Sequence, residues 1–90
     1  MPRPPSPCLG ICKFRRPGPA GEHCIACSMT KQQKKVAKGI GKPGAMSAFL
    51  VLVVAQQRMM GRYGHWPAGY AARCAEKGAA VPKAVRQLVG

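Results

Sequence analysis

The sequence predicts a small, mainly α fold in which N-terminal loops clamped by a four-cysteine metal site precede three to four short helices. Three observations carry that expectation. Four of the five cysteines of the 90-residue chain stand in its first third, as Cys8, Cys12, Cys24 and Cys27. From Lys31 to Met60, apolar and charged residues recur at helical spacing. "GKPG" at 41–44, Pro67 and Gly78 then cut the remainder into helix-length pieces.

A chain of this length makes one domain and buries only about 60 to 65% of the surface its unfolded form exposes. A metal, disulfides or a partner usually supplements so small a core. The composition, 47% hydrophobic with nine prolines and eleven glycines, stays within the globular range while raising the loop content. Residues 1–6 are expected as a flexible tail, 7–30 as the four-cysteine loops, and 31–90 as a helical region of the same domain. "MPRPPSPC" has no apolar h-region, so no secretory signal is read and a cytoplasmic location is expected. Reducing surroundings favour metal binding or catalysis over disulfides for closely spaced thiols. The longest apolar run, 45–55, is too short to span a membrane.

Three residues separate Cys8 from Cys12, two separate Cys24 from Cys27, and eleven lie between the pairs. Two short chelate loops of this kind close one tetrahedral four-thiolate site, as zinc requires. The intervening "KFRRPGPAGEH" reads as a loop that folds back. Leu9, Ile11, Phe14 and Ile25 are placed to cover the site, and Lys13, Arg15 and Arg16 to offset its negative charge. Neither common ferredoxin spacing fits, which tilts the metal toward zinc. A redox pair at "CIAC" lacks the βαβ setting such pairs need. His23 is expected beside the centre rather than on it, and Cys74 as an ordinary buried thiol.

"SPCLGICKF" followed by "CIACSMT" resembles the small bacterial family catalogued as domain of unknown function 1289, over residues 6–36. That family shows Pro-Cys-x-x-x-Cys and a later Cys-x-Gly-Cys-x-Arg-Thr, followed by an acidic helix start and a Trp. The resemblance carries over Cys8, Cys12, Cys24, Cys27 and Thr30, and it implies an iron–sulfur protein without an established activity. The chain departs from the pattern at Ala26, Met29 and Gln33, where Gly, Arg and Glu are usual, and in having no Trp close behind. Zinc and an iron–sulfur cluster therefore both stand as expected cofactors.

Thr30 and Gln33 form a capping-box pattern that starts a helix right after the last cysteine. Its Lys31, Lys34, Lys35 and Lys38 share one face, with Gln33, Val36, Ala37 and Ile40 toward the core. Residues 45–60 read as the central buried helix, the valines notwithstanding, with Met59 and Met60 filling gaps in the core. Pro67 opens a third helix and Gly78 closes it, and Tyr63, Trp66 and Tyr70 are expected as core anchors. His65 is expected as a hydrogen-bonded loop residue. "PKAVRQLVG" makes a last short helix.

Fifteen Lys and Arg against two Glu give a formal net charge of +13. Such an imbalance suits a polyanion, and the lysine face with Arg15 and Arg16 is the predicted contact for RNA or DNA. Two Glu, no Asp and two scattered His provide no paired acid and base, so no enzyme and no small-molecule substrate are expected. The alternatives are an electron-transfer or redox-sensing protein docked on an acidic protein partner, and a basic accessory subunit of a larger complex.

Overall fold

The computed structural model describes residues 4–89, and in it the segment between the two cysteine pairs is an antiparallel hairpin, not the open loop its prolines and glycines predict. β1 (Phe14–Gly18) and β2 (Gly21–Cys24) pair Phe14 with Cys24, Arg16 with His23, Pro17 with Glu22 and Gly18 with Gly21. Glycine makes this turn possible twice over. Gly21 sits at φ +113°, and a Cβ on Gly18 would lie 2.6 Å from the His23 ring. The register slips between Phe14 and Arg16, leaving Arg15 in a bulge. Through this hairpin the chain beside Cys12 returns to Cys24, and the Ile25 N–H donates to the Lys13 carbonyl at 2.9 Å.

The rest of the described chain is helical, so the molecule is mainly α. α1 (Lys31–Gly39) begins on the expected capping box: the Gln33 N–H donates to Thr30 Oγ1 and the Thr30 N–H to Gln33 Oε1. α2 (Pro43–Met60) opens on a proline, starting slightly earlier than the apolar run suggests. Its valines do not turn it into a strand, because 18 residues between breakers bury one stripe at helical period. α3 (Trp66–Glu76) ends at Gly78 with φ +66°, where the Ala79 N–H reaches the Cys74 carbonyl and the Gly78 N–H the Ala75 carbonyl. That is a Schellman arrangement, with glycine in the left-handed position it requires. α4 (Lys83–Val89) packs on α2 and α3.

Met46, Leu50, Val53 and Val54 of α2, Trp66, Tyr70 and Cys74 of α3, Val85 of α4 and Met29 form the core. Trp66 and Tyr70 stack at 4.9 Å between ring centroids, and both hold the N-terminal segment. Trp66 Nε1 donates to the Pro7 carbonyl at 2.9 Å, and the Tyr70 hydroxyl donates to the Pro5 carbonyl at 2.6 Å. Pro5 and Pro7 are buried in consequence. Of the segment expected as a flexible tail, residues 1–3 lie outside the described residues, while Pro5 is packed in place. This strap delivers Cys8 to the same end of the molecule as the hairpin.

Two expectations about apolar faces fail. Val36 points to solvent on α1, where only Ala37 is buried. α2 is not buried on most sides: Val51, Leu52 and Met59 are 58%, 51% and 76% exposed, so Met59 fills no gap. The core needs only one stripe of a helix this long.

Candidate metal centre

Cys24 and Cys27 stand at the end of β2 in a turn whose peptide groups are oriented by the rest of the fold. Ser28, at φ 70°, closes it, and its N–H donates to the Cys24 carbonyl while the Cys24 N–H donates to the Met29 carbonyl. Side chains from α2 and the following loop bond four of the turn's carbonyls. The Tyr63 hydroxyl donates to Cys24 O at 2.7 Å, His65 Nε2 to Ala26 O at 3.1 Å, Gln57 Nε2 to Cys27 O at 3.1 Å and Gln56 Nε2 to Ser28 O at 2.6 Å. With its C=O groups drawn outward, the turn aims an N–H group at sulfur. Ala26 N–H meets Cys24 Sγ at 3.4 Å. Burial nevertheless pushes the Cys27 thiol up to about 12, with Cys24 and Cys8 adding to the rise and the Met29 N–H opposing it.

The first pair lies at the surface. Cys8 and Cys12 hold their sulfurs 3.7 Å apart, and two thiolates on one tetrahedral zinc, at about 2.3 Å each, stand about 3.8 Å apart. The Gly10 N–H donates to Cys8 Sγ at 3.3 Å, Gly10 taking φ +92° to turn it there. Lys34 reaches from α1 to place Nζ 2.7 Å from Cys12 Sγ, and this ammonium holds the Cys12 thiol below the ordinary cysteine range. The Cys24 thiol donates to the Ile11 carbonyl at 3.2 Å, joining the two pairs. Ile11 itself is exposed, so of the four covering residues expected, Leu9, Phe14 and Ile25 remain.

His23 has both ring nitrogens engaged and none to offer a metal. His23 is fully buried: Nε2 accepts from the Ala20 N–H at 3.1 Å and Nδ1 donates to the Ser28 carbonyl at 2.6 Å, which fixes the tautomer. His65 is the hydrogen-bonded loop residue expected. Cys74 is buried in the core, where burial raises its thiol.

The predicted phosphate-contact residues divide. Lys31, Lys35, Lys38 and Arg15 are exposed. Lys34 is turned to Cys12, and Arg16 lies 4.7 Å over the Tyr63 ring with Nη1 near the Arg62 carbonyl. Lys31 keeps its Nζ 5.9 Å from the Phe14 ring centroid. Sequence reasoning missed Gln56, Gln57, Ser28 and Tyr63 as the supports of the cysteine turn. Two adjacent glutamines inside an apolar helix were the available signal.

The donor chemistry fits a metal–thiolate centre, since three of the four sulfurs, those of Cys8, Cys12 and Cys24, have an N–H directed at them. Among the described residues, however, no three His, Cys, Asp or Glu side chains are close enough together to enclose an ion. A four-ligand centre therefore needs the surface pair to close on the buried pair. No helix of the described residues is long and apolar enough to cross a membrane. No family model, curated protein or solved structure matches the chain.

Proposed function

We propose that this chain is a small basic binding module organised by one metal held on Cys8, Cys12, Cys24 and Cys27. The observation that carries the reading is the N–H donor aimed at three of these sulfurs, those of Cys8, Cys12 and Cys24, since such donors stabilise thiolate against thiol. The 3.7 Å edge between Cys8 and Cys12 favours two thiolates on a single metal atom, as in zinc or a two-iron cluster. Closure of the 8–12 segment onto Cys24 and Cys27 would tie the N-terminal strap to the hairpin and α1. Metal content and the visible spectrum of anaerobically purified protein test this. One zinc per chain without colour supports the structural reading, and a brown sample supports the cluster. Replacing any one of the four by Ser should abolish stoichiometric metal, while Cys74→Ser should not; full metal in any of the four variants would remove that residue from the site.

Nucleic acid, RNA or DNA, is the partner this reading favours. A net charge of +13, with Lys31, Lys35 and Lys38 exposed along α1 and Arg15 exposed on β1, supports it. With Lys34 engaged at Cys12, three α1 lysines remain, and counterion release at about −0.7 to −0.9 each implies a salt slope of about −2 to −3 from that helix. Lys31→Gln, Lys35→Gln and Lys38→Gln together should flatten the slope by that amount. Binding unchanged by the triple substitution would reject this face.

A further inference from the structure

We propose that the exposed face of α2 is a docking seam for one apolar, acid-flanked helix of a protein partner. Ala45, Ala48, Leu52, Ala55 and Met59 are all exposed, and they follow one another at steps of three, four, three and four residues. That is the heptad spacing of a coiled-coil seam, in which each side chain inserts between four of a facing helix. Val51 borders the row and is as exposed as Leu52. The seam runs about 21 Å along the helix. α2 meets its own core with a different stripe, Met46, Leu50, Val53, Val54 and Gln57, so this second stripe is left outside the core. Three alanines among five positions let a second helix approach closely, with Leu52 and Met59 as the knobs.

Charge selects the occupant. α2 contains no acidic residue, and the ionised groups on and beside it are Lys42, Arg58 and Arg62. Self-pairing in parallel sets Arg58 near its own copy, and antiparallel pairing sets Lys42 against Arg58 and Arg62. Both oppose like charges between chains that each carry +13. A partner helix with Glu or Asp beside its apolar row meets cations at these positions instead. The seam lies apart from the cysteines and does not rest on the metal reading.

The probe is a synthetic helical peptide of about three heptads, with leucine and alanine in its seam and glutamate on both flanks, labelled for fluorescence anisotropy against the full chain. Two control peptides carry the same composition in scrambled order, or lysine in place of glutamate. The ordered acidic peptide should bind about tenfold or more tightly than either control, and Leu52→Gln with Met59→Gln should weaken it by a similar factor. Circular dichroism confirms that the double variant folds; if it does not, Ala48→Gln, at an exposed seam position, takes its place. Equal binding of the scrambled peptide, or of the variant, overturns the proposal. So does no binding of the ordered peptide to the parent. Sedimentation of the parent as a dimer that the variant loses assigns the seam to a second copy, and seam-dependent binding to phosphatidylserine vesicles assigns it to a lipid surface; either result replaces the proposal.

Discussion

The two cysteine pairs are held by different means. Cys24 and Cys27 sit in a buried turn whose carbonyls are taken by Gln56, Gln57, Tyr63 and His65, so its shape is set by α2 and the loop beyond it. Cys8 and Cys12 lie at the surface, shaped by Gly10 and one lysine. A turn held through four of its carbonyls costs little further to order when a metal binds, whereas a surface loop with fewer such ties costs more. If the four cysteines hold a metal as proposed, the buried pair would be the preformed half of that site and the surface pair its closing half.

Metal removal separates them most strongly, because structural zinc contributes on the order of 10 to 16 kcal/mol in zinc-finger peptides. After chelation, amide exchange at residues 8–13 should rise to near unfolded rates, while the 24–30 turn keeps much of its protection. Equal loss in both segments would mean that the second pair is no more preformed than the first.

Gln56→Ala attacks the preformed half. It removes one of the two donors to the Ser28 carbonyl, which keeps His23 Nδ1, and the acceptor of Gln33 Nε2, at a cost of about 0.5 to 1.5 kcal/mol per lost hydrogen bond. Denaturant unfolding should show that loss with and without metal. Lys34→Met attacks the closing half, removing the ammonium from Cys12. Metal affinity, read by chelator competition, should weaken about tenfold, with exchange in the 24–30 turn unchanged.

The smallest effect is a pH dependence. Folding raises the Cys27 thiol from 9.0 to about 12, so the folded form keeps a proton that the unfolded form releases. Stability of the metal-free protein should be fully present below pH 9 and decline as pH rises from there toward 12. Cys27→Ala should reduce that slope, and a parent without any slope in that window would show the thiol to be less buried than its surroundings imply.

The helical part of the fold was legible because caps and breakers act locally. Thr30 with Gln33, Pro43, Pro67 and Gly78 each do what their chemistry dictates. The hairpin was not legible, since "RPGPAG" carries residues that usually end strands; pairing across the two glycines overrides that preference. The four cysteines stood out by spacing, but their supports did not. Gln56 and Gln57 lie about 30 residues from the carbonyls they hold, a relation that only tertiary packing reveals. The same holds for Lys34, which shares a helical face with Lys31, Lys35 and Lys38 yet turns to a sulfur. Helical periodicity fixes which residues neighbour one another along α1, not what lies across from them.

Titration of the reduced, metal-free chain with cobalt(II) under anaerobic conditions tests the central claim most directly, because the visible bands report both geometry and the number of thiolates. The account predicts saturation at one cobalt per chain, with intense tetrahedral bands and sulfur-to-metal charge transfer of a four-thiolate site, both reduced by Ser at Cys8 or Cys12 as well as at Cys24 or Cys27. Saturation with the bands of a two-thiolate site, insensitive to Cys8 and Cys12, or the absence of any cobalt–thiolate absorption, would contradict it.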